Sequence, residues 1–208
     1  MSTSPAPRLR QHVIVVAEVA AFLALRAARA GVSVDRRLVE TAALLHDVDK
    51  ALPPDHPLKA LGHGPAGAAW LSEAGHPELA RTIIAHPISR FAEQDAETWA
   101  TEGPVEERIV AYADKRATQR VVSLDQRFDR WRAKHPEYRP KLDRAYAVAR
   151  LLESRLCTTI GLEATAVERL RWVDDALARA TASGAIEASA GADLARPALR
   201  APADPSAA

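Results

Sequence analysis

The apolar residues of this chain recur at a helical period in almost every segment. Residues 8–30 carry valine, leucine and alanine at this period and stop before Gly31, which predicts a first helix. Asp35 is well placed to cap a second helix, which we expect to continue to about Val48. No segment shows a sustained alternation of apolar and polar residues, so the sequence predicts an all-α fold.

Prolines mark the ends of several further helices. Pro65 and Pro77 are each placed as a first helical residue. Pro87 ends the second of these helices, because the residue before a proline avoids the α region. The segment from Val105 is clearly amphipathic, whereas 88–103 reads as a loop or short helix. Further helices are predicted near 123–134, 140–157 and 162–182.

The chain of 208 residues fits one domain. We expect a single helical domain over 8–182, with a core at 8–120 and accessory helices at 121–182. Residues 1–7 and the Ala- and Pro-rich segment 184–208 offer too little apolar bulk to offset their ordering entropy, so we expect two disordered tails.

Composition and charge narrow the class of protein. Hydrophobic residues make up 48% and charged residues 26% of the chain, as in ordinary globular proteins. The net charge of +1 disfavours a nucleic-acid or membrane partner. The longest apolar stretch, 12–25, contains Glu18 and is shorter than the ~20 residues of a membrane span. Cys157 is the one cysteine, which excludes an intrachain disulfide. With no predicted membrane span, we expect a cytoplasmic protein.

The stretch "LLHDVDK" carries the first candidate chemistry. An apolar helix ends there in His46 and Asp47, and imidazole and carboxylate are both ligands for divalent metal ions. Two ligands do not hold a metal, so other helices must supply more. His12 at the start of the first helix and Asp114 in "AYADK" are the candidates.

This order of His, His-Asp and Asp resembles the HD-domain superfamily of metal-dependent phosphohydrolases. "LLHDVDK" is similar to the HD box and "YADK" to the distal Asp box, and the resemblance covers roughly residues 8–120. It implies an HD-type helical bundle with extra C-terminal helices. It also implies that metal-activated water, rather than a side chain, attacks a phosphoester or phosphoanhydride bond.

Two more histidines extend the resemblance to dinuclear members of the superfamily. His63 lies in "GHGPAGAAWL" and His86 in "IIAHP", a pattern similar to bacterial hydrolases that split diadenosine tetraphosphate symmetrically. The resemblance implies two ions that share Asp47. The implied ligands are His12, His46, Asp47 and Asp114 for the first ion, and Asp47, His63 and His86 for the second.

Neighbouring charged residues are candidates for supporting roles. Lys50 follows Asp47 by three residues, and we expect these two residues to act in catalysis, with the Lys50 ammonium on a phosphate. Asp49 is expected to face solvent or to orient His12 or His46. Weaker candidates for phosphate contacts are Lys115, Arg116 and Arg120.

The leading hypothesis is a metal-dependent phosphohydrolase for a small phosphorylated substrate, first of all a dinucleoside polyphosphate. The alternatives are a mononuclear nucleotidase, which would leave His63 and His86 idle, and an HD module that binds a nucleotide without turnover. Mixed His and Asp ligation suits Fe, Mn, Co, Ni or Zn, with Mg less favoured. A homodimer stays open, because Trp99, Trp131 and Trp172 could pack inside or across an interface.

Overall fold

The computed structural model describes residues 7–182, and the all-α prediction is confirmed. Within this range a single β-bridge between Ala117 and Val121 is the one departure from helices and loops. The α-helices are α1 (Pro7–Arg29), α2 (Arg36–Leu45), α3 (Pro65–Glu73), α4 (Pro77–Ile84), α5 (Ala96–Glu102), α6 (Val105–Lys115), α7 (Leu124–Lys134), α8 (Arg139–Thr159), α9 (Ala164–Val167) and α10 (Trp172–Ala182). Short 3₁₀ turns lie at Val48–Ala51, Pro57–Leu61, Ile88–Ala92 and Pro136–Tyr138.

The predicted tails lie almost entirely outside the described residues. Of the segment 1–7, only Pro7 is described, and it is the first residue of α1 rather than part of a tail. The segment 184–208 is not described. The disordered tails therefore stay a prediction.

Helix α1 is the central helix of the N-terminal half. Its buried face, which includes Val15, Val19 and Leu23, packs against α2, α6 and α10. By length and composition alone α1 would also qualify as a membrane span. Its burial inside the bundle accounts for that apolar character, as in the core helix of a globular protein.

Helix α2 begins as predicted and ends early. The Asp35 carboxylate accepts a hydrogen bond from the Leu38 amide at 3.0 Å, which caps the helix. The expected continuation to Val48 is wrong, because α2 ends at Leu45. The Lys50 amide instead donates to the Asp47 carbonyl at 2.9 Å, and this three-residue spacing is that of a 3₁₀ turn.

The C-terminal helices share one hydrophobic core with the N-terminal ones. Helix α8 packs against α5, α6 and α7, and buried residues from α1 to α10 form a single cluster. The segment predicted as one helix over 162–182 is instead two, α9 and α10, with a break between them. The segment 88–103 contains α5 after a 3₁₀ turn.

Candidate metal centre

Four histidines from separate elements converge on one carboxylate. His12 lies on α1, and His46 directly follows α2. His63 precedes α3, and His86 follows the end of α4. The common target is Asp47, whose side chain is 2% exposed.

Each of these histidines presents its Nδ1 atom to an oxygen acceptor. The acceptor is the Thr118 carbonyl for His12 at 3.1 Å, the Ala43 carbonyl for His46 at 2.7 Å, and the Ile83 carbonyl for His86 at 2.6 Å. For His63 it is the Asp49 carboxylate, at 3.0 Å. Because these oxygens only accept, Nδ1 carries the proton and the Nε2 lone pair is left for another partner. Such outward hydrogen bonds are typical of metal-ligating histidines.

The Asp47 carboxylate lies between two histidine pairs. Its Oδ2 atom is 3.7 Å from Nε2 of His12 and 3.4 Å from Nε2 of His46. Its Oδ1 atom is 3.5 Å from Nε2 of both His63 and His86. We call the His12–His46 side the first half-site and the His63–His86 side the second half-site. The spacing leaves room for one ion on each side, and each set of three residues could hold a metal.

Two details of the polar atoms fit bound cations. Asp47 Oδ1 is buried and has no hydrogen-bond partner, an arrangement that costs free energy unless a cation compensates. The Nε2 atoms of His12 and His46 lie 3.3 Å apart, and those of His63 and His86 lie 3.2 Å apart. With Nδ1 protonated, each pair brings two lone pairs face to face, and a shared cation removes that repulsion.

Asp114 joins the first half-site from the end of α6. Its Oδ1 atom is 3.1 Å from His12 Nε2 and 3.8 Å from His46 Nε2. Its Oδ2 atom accepts a hydrogen bond from Lys115, whose ammonium also donates to the His86 carbonyl at 2.5 Å. Lys115 is thus buried behind the ligands. It holds α6 against the end of α4.

The charge states of Asp47, Asp114 and His86 suit metal ligands, whereas burial of His46 is outweighed by the nearby Asp47 and Asp114 carboxylates, which raise the pKa of His46. Burial raises the pKa of Asp47, but the interactions with the neighbouring His46 and His86 rings outweigh it and leave the pKa far below its usual value. Burial likewise raises the pKa of Asp114, but the Lys115 charge outweighs burial, so the pKa of Asp114 is also lowered. Burial lowers the pKa of His86 to about 4, which keeps that ring neutral at physiological pH.

The structure gives Lys50 and Asp49 distinct positions. The Lys50 ammonium donates to Asp47 Oδ2 at 2.7 Å, and its side chain is 46% exposed. The expectation that Asp49 faces solvent or orients His12 or His46 is wrong. Asp49 is buried and accepts from His63, so it supports the second half-site.

The basic residues after Asp114 lie in different surroundings. Arg116 is fully buried and donates to the Val122 carbonyl at 2.9 Å and to Glu153 at 2.8 Å. The expected phosphate contact of Arg116 is therefore wrong. Arg120 lies in an exposed turn after α6.

Sequence reasoning missed one cation beside the centre, Arg127 on α7. Its Nη2 atom lies 3.8 Å from Asp114 Oδ1. For its segment, "SLDQRF", the sequence predicted only a helix near 123–134. The ring of Trp131, four residues later, lies under the guanidinium, and such an Arg–aromatic spacing is the signal that could have found it.

These features define a histidine- and carboxylate-lined centre for divalent metals in an all-α bundle. The HD domain family model matches residues 9–119, more than half of the chain, and the chain belongs to this family. HD domains bind divalent metals and are generally metal-dependent hydrolases. No curated protein and no solved structure matches the chain.

Proposed function

We propose that this protein is a dinuclear metal-dependent phosphohydrolase for a small nucleotide, with a dinucleoside polyphosphate as the first candidate substrate. The observation that carries the proposal is the position of Asp47, each of whose oxygens faces its own pair of histidine Nε2 atoms. A carboxylate placed in this way suits a bridge between two ions.

The six proposed ligands divide between the two half-sites. His12, His46 and Asp114 would hold the first ion, His63 and His86 the second, and Asp47 would be shared. The histidine-rich donor set suits Fe, Mn, Co, Ni or Zn better than Mg. Two divalent ions in such a site polarise phosphoryl oxygens and lower the pKa of water, which makes hydroxide available at neutral pH.

The side chains around the ligands would prepare the centre for a phosphorylated substrate. The Nδ1 hydrogen bonds fix the imidazoles, so the rings need not reorganise when the substrate binds. Lys50 is half-exposed and touches Asp47, and a small rotation of its flexible stem would bring the ammonium onto a phosphate oxygen. This is the catalytic role that we assign to it.

A cavity lined in part by the segment that follows His86 supports an organic phosphate as the substrate. It has a volume of about 520 Å³, within the range of small-molecule sites. Ile88 and Ser89, which closely follow His86, line one part of it, and Trp131 and Tyr138 line another. Aromatic and apolar walls of this kind suit a nucleoside better than inorganic pyrophosphate.

The exposure of one ligand favours a second candidate, a mononuclear phosphomonoesterase. The His63 side chain is 40% exposed, whereas His46 and His86 are almost completely buried. A more exposed ligand gives a weaker half-site, and the first ion alone would then act. A third possibility is an HD module that binds a nucleotide without hydrolysis.

The decisive experiment begins with metal content. We would purify the protein without oxygen, load it with Mn²⁺ or Fe²⁺, and measure bound metal before incubation with diadenosine tetraphosphate. Two ions per chain and ADP as sole product are expected, and a chelator should abolish the reaction. Nucleoside monophosphates and triphosphates would test the mononuclear candidate. Metal binding without turnover of any of these would favour the non-catalytic module.

A histidine variant separates the dinuclear from the mononuclear candidate. His63→Ala should lose one ion and most of the activity, because it removes a ligand of the second half-site alone. His76→Ala is the matched control, since His76 is exposed and lies outside both half-sites. Full activity and full metal content in His63→Ala would leave the mononuclear enzyme as the better account.

The cellular location and the class of partner that we propose follow from the composition of the chain. One cysteine, which is buried, fits a reducing compartment such as the cytoplasm. The near-neutral net charge supports a small-molecule partner rather than nucleic acid or membrane. We keep a homodimer as a proposal that a sedimentation measurement would test.

A further inference from the structure

Arg127 on α7 is the cation of the metal centre whose contacts are weakest. Its Nη2 atom lies 3.8 Å from Asp114 Oδ1, beyond hydrogen-bond distance. That same Asp114 oxygen faces His12 and His46. The guanidinium therefore borders the first half-site without a close hydrogen bond to it.

The Arg127 side chain is held in place although its Nε donor is not satisfied. Its guanidinium carbon lies 4.4 Å from the ring centroid of Trp131, and its Nε atom is buried without a hydrogen-bond partner. Helix α7 is itself fixed, because Ser123 and Gln126 form a reciprocal capping box. A guanidinium that is held in position with a buried, unpaired Nε favours an anionic acceptor.

The charges of the centre also call for an anion. Three acidic side chains, those of Asp47, Asp49 and Asp114, lie in or beside the half-sites. Three basic side chains, those of Lys50, Lys115 and Arg127, already face them. Any divalent ion therefore adds positive charge that the protein does not balance, and an oxyanion ligand would balance it.

Two of the three cations are already engaged at short range. Lys50 donates to Asp47 at 2.7 Å, and Lys115 donates to both Asp114 and the His86 carbonyl. Arg127 has the planar fork that matches two oxygens of a phosphate group. Its side chain is 19% exposed, so a ligand in the centre can reach it.

We propose that Arg127 is a substrate-binding residue that donates to the phosphoryl oxygens of the substrate at the first half-site. The ligand class is a phosphate ester or anhydride, and inorganic phosphate is its simplest form. This inference rests on the proposed function, since it assumes an ion in the first half-site. It adds a residue outside the six metal ligands, and outside the segment that matches the family.

The test measures inorganic phosphate binding by calorimetry on the metal-loaded full-length protein. Arg127→Met should weaken phosphate binding at least about 10-fold, because charge-assisted hydrogen bonds are lost while the stem still covers Trp131. Bound metal should stay at the wild-type level. Arg127→Lys keeps the charge and loses the fork, so we expect an intermediate affinity. Arg130→Met on the same helix is the control, since Arg130 is exposed.

The outcomes separate this inference from the proposed function. Wild-type protein that binds no metal would contradict the proposed function before Arg127 is tested. Metal-loaded Arg127→Met with wild-type phosphate affinity would overturn the inference, as would an equal loss in Arg130→Met. Loss of metal from both Arg127 variants would also overturn it, because Arg127 would then act through Asp114. With an active substrate, a rise in KM in Arg127→Met with metal retained would support it.

Discussion

At the residue scale, Asp47 is the group on which the centre depends. Its carboxylate is buried, one of its oxygens has no hydrogen-bond partner, and its closest cation is Lys50. A buried carboxylate in these surroundings is stabilised far better by cations on both sides than by one half-exposed ammonium. The other residues of the centre orient rings toward it or balance its charge.

Asp47→Asn tests this dependence with almost no change in volume. We expect metal content to fall at both half-sites together, by at least about 10-fold in affinity, because the amide supplies neither charge nor a bridge. Metal per chain after dialysis, measured by mass spectrometry, is the readout. Asp55→Asn in the exposed loop is the matched control. Two ions retained by Asp47→Asn would show that the histidines and Asp114 suffice.

Ligand identities were more predictable from the sequence than their supporting contacts. His46 and Asp47 are adjacent to a recognisable apolar helix, so residue type and order were informative. The Asp49–His63 contact joins positions 14 apart through a loop, and no periodicity encodes such a contact. The Thr118 carbonyl that holds His12 is a backbone group, which every residue possesses. Its role depends on where the chain turns after α6.

At the element scale, the centre is assembled from helix ends. Helix α2 ends before His46, and α4 ends before His86, so both rings lie where the chain changes direction. The 3₁₀ turn after α2 was missed because a helical apolar period does not distinguish the last α turn from a tighter turn. Gly64, which follows His63, has φ of +90° and lies against Pro87, which follows His86.

Gly64→Ala should therefore disturb the second half-site specifically. A methyl group at this position would overlap Pro87 Cγ, so the loops of His63 and His86 must separate. We expect loss of the second ion, retention of the first, and a clear fall in melting temperature.

Gly62→Ala is a closely matched control for this change. Gly62 also has a positive φ, +79°, but a methyl group there would meet nothing within 4 Å. Both variants place alanine in a positive-φ region that costs about 1–3 kcal/mol, so a difference between them reflects mainly the contact with Pro87. Equal metal content in the two variants would contradict the proposed coupling of the loops.

At the scale of the whole molecule, the matched family segment is joined to the C-terminal helices through a buried ion pair. Arg116, just after α6, donates to Glu153 on α8 at 2.8 Å, and the Tyr112 hydroxyl donates to the same carboxylate at 2.6 Å. Burial raises the pKa of Tyr112, so the hydroxyl stays a neutral donor. The C-terminal helices were predictable as helices, but this link depends on tertiary contacts between residues 37 positions apart.

Glu153→Gln tests how strongly this link stabilises the fold. The substitution keeps the shape and leaves the buried Arg116 guanidinium with only the half-exposed Glu168 as a counter-charge, so we expect a loss of about 3 kcal/mol in the free energy of unfolding. Chemical denaturation of metal-loaded protein provides the measurement. Glu40→Gln is the control, because its pair with Arg36 is exposed and should contribute less than about 1 kcal/mol. Equal losses in the two variants would mean that Glu168, which already accepts a hydrogen bond from Arg116, balances its charge, and that α8 is held by apolar packing alone.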